Sequence, residues 1–183
     1  MNAIEAIRTR RSVRRYRETP VDRGVIEEVI LDAAHAPWAP LSLPEPWVFV
    51  VIEGRERIAE FGERALQYAR RNRPGRVGYE WTEREGFSVF HGAPVVVLVC
   101  GRADYSLALE ECTRAGQILT LSAHARGLGA CWVGAPNLWL QDAGVRRELG
   151  IPEGVRPFAV FALGHPEGTA EPPRGFQPRI VWG

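Results

Sequence analysis

Apolar positions along the chain switch repeatedly between helical and strand spacing. Asn2 to Arg8 places Ile4 and Ile7 on one face of a short helix. Asp22 is a good N-cap for a second helix running to about Ala34, with Ile26, Val29, Ile30 and Ala33 at i, i+3, i+4 and i+7. A proline-rich stretch from Pro37 to Pro46 follows, too constrained for a flexible linker. The run Trp47 to Ile52 then reads as a buried strand. Arg55 to about Arg71 is helical in pattern. Pro74 to Phe87 is polar and glycine-containing, with Tyr79 and Trp81, and is a candidate lid.

Gly92-Ala93-Pro94 opens a second buried strand, Val95 to Cys100. Asp104 is expected to cap a long helix that ends at Arg126, with Gly127 as the residue that stops it. Ala130 to Gly134 reads as a strand, Asp142 to Leu149 as a short helix and Phe158 to Leu163 as a last strand. No internal repeat is visible. Uneven alternation of helices and strands implies α+β or α/β. The long helix is apolar or small nearly all round: Leu107, Leu109, Cys112, Ala115, Gly116, Ile118, Leu119, Leu121 and Ala123. Burial on all sides by a second subunit and an ordinary place in the core both accommodate it. Ala115 and Gly116 are expected to allow close helix approach.

Composition narrows the chemistry. At 183 residues, 45% hydrophobic and 25% charged, the chain is expected to form one globular domain over residues 1–183. Its 23 basic residues are all arginine, so Schiff-base and phosphate-loop lysine chemistry is excluded. Cys100, Cys112 and Cys131 show no paired spacing and read as buried free thiols. With no signal-peptide pattern and no membrane-length apolar run, a cytoplasmic location is expected.

Net charge is only +1, yet six arginines fall between Arg8 and Arg17, with Ser12 among them. Guanidinium forks match phosphate geometry, and several around one hydroxyl can satisfy a terminal phosphate. A solvated basic turn is the alternative. A broad nucleic-acid surface does not fit so local a charge, and neither nucleic acid nor membrane is expected as a partner. Gly127 to Gly134 contains G-x-G, but in the order helix, glycines, strand. That is the reverse of a dinucleotide fingerprint, so a Rossmann site is excluded. The segment is either a tight helix-to-strand turn or a backbone lying flat against a planar ligand. His35, His91, His124 and His165 have no metal-ligand spacing, and no metal is expected. His165 follows a strand and reads as a core or loop histidine. Glu110 and Glu111 read as capping or solvating the long helix.

Arg10-Arg11-Ser12-Val13-Arg14 resembles the phosphate-binding signature of the FMN-dependent nitroreductase family. So do Ala33 to Pro37 with Pro46 to Val51, Gly92-Ala93-Pro94, Gly127 to Gly134, Leu149 to Pro157 and Leu163 to Pro166, in the same order and over nearly the whole chain. The resemblance implies an α+β fold with a central mixed sheet flanked by helices, and a homodimer with the long helix and two FMN sites at its interface. It implies reduction by NADH or NADPH and ping-pong transfer to nitroaromatics, quinones or related small-molecule acceptors. It places Arg10, Ser12 and Arg14 on the ribityl phosphate, with Arg11 nearby and Arg174 reaching the same group. It sets Cys131, Trp132, Val133 and Gly134 along the flavin ring, with the Val133 and Gly134 N–H groups near N5 and O4. Arg70, Arg71 and Arg73 are candidates for the N1/O2 edge.

The loop Pro40-Leu41-Ser42-Leu43-Pro44-Glu45-Pro46-Trp47 departs from the family pattern: the asparagine is missing and Glu45 stands where glutamine is usual. Contacts to the partner's FMN from Pro40, Leu41 and Ser42 are the corresponding expectation. No side chain is expected to act as acid or base, because the flavin carries the chemistry. Reductive dehalogenation, flavin fragmentation, a non-enzymatic flavin-binding module and an arginine-rich nucleic-acid binder are the alternatives.

Overall fold

The structure is a computed structural model that describes residues 1–39, 46–72, 77–168 and 177–183. Its elements in chain order are α1 (Ala3–Thr9), α2 (Arg23–Ala33), β1 (Val48–Glu53), α3 (Arg55–Asn72), β2 (Val95–Arg102), α4 (Ala108–Ala125), β3 (Gly129–Trp132), α5 (Asn137–Leu140), α6 (Ala143–Glu148) and β4 (Val155–Gly164). A short 3₁₀ turn occupies Glu80–Glu83.

Three helix starts follow directly from local chemistry. Asn2, Asp22 and Asp142 each accept a hydrogen bond from the first turn of α1, α2 and α6, satisfying amide groups that have no partner within the helix. Asp104 does not do so for α4. Its carboxylate is taken by Arg102, at 2.6 Å, and α4 begins four residues later behind Leu107 without a side-chain cap. The other end of α4 behaves as expected. Gly127 takes a left-handed φ of 76°, and Leu128 N–H returns to Ala123 C=O.

The four strands lie in the order β1-β2-β4-β3, and every neighbouring pair runs antiparallel. The fold is α+β. Among the described residues, a parallel bridge from Ser12 to Ala130 is the one parallel pairing. The β2–β4 register shifts between Val99 and Cys100, where Cys100 faces Pro157. Proline has no N–H to give the ladder, so a bulge there is the low-cost solution.

β2 is central and alternates its side chains between two cores. Val96, Leu98 and Cys100 pack toward α3, α5 and α6, with Phe61, Leu66, Trp139 and Leu140. Val95, Val97 and Val99 pack toward α2 and α4, with Ile26, Val29, Ala115 and Leu119. α5 is one turn long, too short to leave a periodic signal in the sequence.

α4 is one-sided within the chain. Gly116 faces the sheet and Ala115 is buried beside it, while Leu109, Glu110, Arg114 and Gln117 point outward. At Gly116 an added Cβ would sit 2.3 Å from the Phe161 ring of β4. Glycine therefore sets how closely α4 lies on the sheet. In a helix interior, Gly→Ala ordinarily stabilises by about 0.5–1 kcal/mol. Here the buried ring cannot retreat, so Gly116→Ala should instead destabilise by about 1–3 kcal/mol. The shift in urea midpoint measures the sign; a stabilised variant would refute the close approach.

Candidate functional site

The arginine segment leaves α1 at Arg10, where the backbone turns extended (ψ 137°). It is then fastened to the sheet at successive points. Ser12 bridges Ala130, and Val13 N–H donates to Ala130 C=O at 3.1 Å. Gly129 permits this, since a Cβ there would lie 2.7 Å from Val13. The buried Tyr16 points inward, and its hydroxyl donates to Val13 C=O at 2.6 Å and reaches Ala162 C=O at 3.3 Å. Gly164 leaves room for Tyr16, whose ring is 2.9 Å from the position of a Cβ. Beyond it, Arg17 N–H donates to His165 C=O and Glu167 N–H to Arg15 C=O. Arg55 donates to the carbonyls of Tyr16 and Arg17.

The backbone is thus held while the guanidinium groups remain outside it. Among the described residues, none of the six arginines between Arg8 and Arg17 forms an ion pair with a carboxylate, whereas Arg23, Arg64, Arg102, Arg114 and Arg126 all do. Arg10 and Arg14 turn toward Cys131 on β3. Burial raises the Cys131 thiol above its ordinary range, and the two guanidinium groups partly oppose that. Arg11 is different: its Nη1 donates to the carbonyls of Arg8 and Arg10, closing the C-terminus of α1. Ser12 is exposed beside these groups.

Along Cys131 to Gly134 burial alternates. Cys131 and Val133 are buried; Trp132 is 45% exposed, with its ring 5.7 Å from that of Phe161. Val133 N–H donates to Val160 C=O at 2.8 Å. It is therefore unavailable to a ligand, contrary to the expectation from sequence. At Gly134 the surroundings are open: no heavy atom lies within 4 Å of an added Cβ. Pro40, Leu41, Ser42, Arg73 and Arg174 lie outside the described residues. Arg70 donates through Nε to Thr82 C=O and ties the 3₁₀ turn to α3, while Arg71 is exposed.

His91 joins this neighbourhood without having been singled out. Its φ of 58° makes it the single non-glycine residue in the left-handed region among those described. Burial, with Arg14 facing it, holds its imidazole below the usual histidine range. It ends a run of rings, Tyr79–Trp81–Phe87–His91, spaced 5.2 to 6.5 Å apart. The sequence signal was the turn itself, His91-Gly92 immediately before Ala93-Pro94.

Two guanidinium groups without carboxylate partners, a neighbouring hydroxyl and a glycine with open surroundings fit a planar ligand bearing a phosphate. The model of the nitroreductase family matches residues 7–165. The chain belongs to the nitroreductase family. It is 35% identical over 173 residues to a Methanothermobacter thermautotrophicus protein provisionally named NADH dehydrogenase/NAD(P)H nitroreductase, covering 91% of this chain and 78% of that one. A Bacteroides fragilis nitroreductase crystallised with FMN superimposes with a TM-score of 0.85 at 24% identity, over 99% of this chain and 100% of that one. An iodotyrosine deiodinase bound to FMN and 3-iodo-L-tyrosine superimposes at 0.76 with 20% identity, over 98% of both chains. These two structures speak to the fold alone.

As in other buried thiols, the cysteines of this nitroreductase-family chain stay protonated near neutrality. Burial pushes Cys100 and Cys112 each up to about 12. A thiol-specific colorimetric reagent at pH 7.5 should therefore find none of the three cysteines in the native protein and all three after denaturation. A fast-reacting native thiol would contradict the burial.

Proposed function

We propose that this chain is an FMN-dependent oxidoreductase that takes reducing equivalents from NADH or NADPH and passes them to nitroaromatic, quinone or related acceptors. The observation that carries the reading is the pair Arg10 and Arg14, without carboxylate partners and turned toward β3. Bound there, FMN would supply hydride acceptance and release.

The chain's own residues do the binding and orienting. Arg10, Arg14 and the Ser12 hydroxyl hold the phosphate; Arg174 belongs to the same set in this reading. Arg11 supports them indirectly by closing α1. Cys131, Trp132, Val133 and Gly134 line the ring, with the Gly134 N–H as its donor. The Val133 N–H stays in the sheet and serves rigidity. Pro40, Leu41 and Ser42 approach from a partner subunit.

The functional form is a homodimer. Ile4 and Ile7 on α1 are each 58% exposed; Leu107, Leu109 and the tail residues Ile180, Val181 and Trp182 are also exposed. α1 and α4 are joined by the Thr9–His124 hydrogen bond at 2.8 Å, so the apolar residues of both helices move as one surface. A second copy covering it gives an interface of the obligate type, about 2,000 Å² or more.

Stopped-flow mixing of the flavin-loaded protein with NADH or NADPH should bleach the flavin absorbance, and a nitroaromatic or quinone should restore it. Arg10→Ala and Arg14→Ala should each weaken FMN binding about tenfold or more, as loss of a charge-assisted hydrogen bond requires. Absence of bleaching with both dinucleotides would leave a flavin-binding module and refute the oxidoreductase.

A further inference from the structure

Arg55 places a cation at the first residue of α3, where the helix dipole opposes positive charge. Its backbone is fixed from two sides. Gly54, with a left-handed φ of 98°, turns β1 into α3, and its N–H donates to Pro94 C=O at 3.2 Å. Pro94 packs against Gly164 beside the Tyr16 ring, so the start of α3 lies against the arginine segment. Nη2 of Arg55 donates to Tyr16 C=O at 2.9 Å and to Arg17 C=O. Among the described residues, no carboxylate pairs with Arg55, and its buried Nε has no partner.

A side chain that only filled this space could be apolar at lower cost. Arginine here adds a like charge beside the six between Arg8 and Arg17, stands against the helix dipole and leaves a buried donor unsatisfied. What it supplies is a hold on two successive carbonyls. Together with the Val13 N–H on Ala130 and the Arg17 N–H on His165, that hold brackets Arg14 on both sides. Arg10 is placed differently: it lies before the Ser12–Ala130 bridge, and its N–H closes the end of α1 on Ala6 C=O. We propose that Arg55 is a positioning residue for Arg14, fixing the peptide planes of Tyr16 and Arg17 so that the Arg14 guanidinium is presented to a phosphate, while Arg10 is independent of it. This inference rests on the function proposed above, in which Arg14 holds the phosphate of FMN. Arg55 itself touches no part of the cofactor.

Quenching of flavin fluorescence, titrated with FMN and with riboflavin on the flavin-free full-length protein, tests this. Arg55→Met keeps the bulk of the stem and removes the donors. It should raise the Kd for FMN about tenfold and leave that for riboflavin within about twofold of wild type. Arg14→Ala should cost about tenfold or more in the wild-type background but less than about threefold in Arg55→Met, whereas Arg10→Ala should cost the same in both. Arg55→Lys keeps donors at the end of a long stem and should bind FMN more tightly than Arg55→Met. Arg55→Gln, shorter and uncharged, takes the place of Arg55→Met if that variant does not fold. An FMN Kd within about twofold of wild type, equal weakening of FMN and riboflavin, or full additivity with Arg14→Ala would make Arg55 merely structural and overturn the inference. Wild-type protein that takes up no FMN overturns the function proposed above as well, which separates the two failures.

Discussion

The anchoring of Tyr16 holds the rest of the site in place. Its buried ring occupies the room left by Gly164, and its hydroxyl ties Val13 to the strand carbonyl of Ala162. Burial pushes that hydroxyl far above the ordinary tyrosine range, so it remains a donor at any pH the protein meets. With Tyr16 inside, the flanking arginines must lie outside. Repulsion among six guanidinium groups would drive a free segment apart. Fastened to Ala130, His165 and Glu167 by its backbone, the segment keeps them together for an anionic ligand.

The same economy of contact appears on the opposite side of the sheet. Phe161 reaches into the gap at Gly116, and the neighbouring Trp132 ring rests against Phe161. α4 therefore determines the height of β3, and β3 carries Cys131 and leads to Gly134. Through the buried Glu111, which accepts the Ala39 N–H, and Arg114, which donates to Pro37 C=O, α4 also holds the start of the loop after α2. One helix thus references both β3 and the Pro37–Ala39 segment. A fold arranged in this way can keep its cofactor geometry while its loops vary. A deiodinase and a nitroreductase share the fold of this chain, and one fold can carry different chemistry.

Local signals were legible in the sequence because they act over three or four residues. Asn2, Asp22 and Asp142 cap as their chemistry requires, and Gly127 ends α4 as only a residue tolerant of positive φ does easily. Signals with a competing partner misled. Asp104 had the right identity for a cap, but Arg102 two residues earlier claims its carboxylate. Gly116 was legible as a close-approach residue, yet nothing in the sequence said that the approaching group was an aromatic ring and not a helix. The arginine cluster pointed to a phosphate without showing that Arg11 would turn back on α1. The Val133 N–H lies one residue past β3, and only the pairing with Val160 shows that it is occupied. His91 was weighed only as a metal ligand, because its left-handed backbone has no signature apart from the glycine beside it.

The central claim is that the fastened arginines select the ligand by its phosphate. Comparison of FMN with riboflavin, which shares the ring and ribityl chain but lacks the phosphate, tests it directly by isothermal titration. Two or more charge-assisted hydrogen bonds, each worth about 1.5–3 kcal/mol, predict that FMN binds at least about 100-fold more tightly than riboflavin. Equal affinities for the two would contradict the account, because the arginines would then contribute nothing to holding the cofactor.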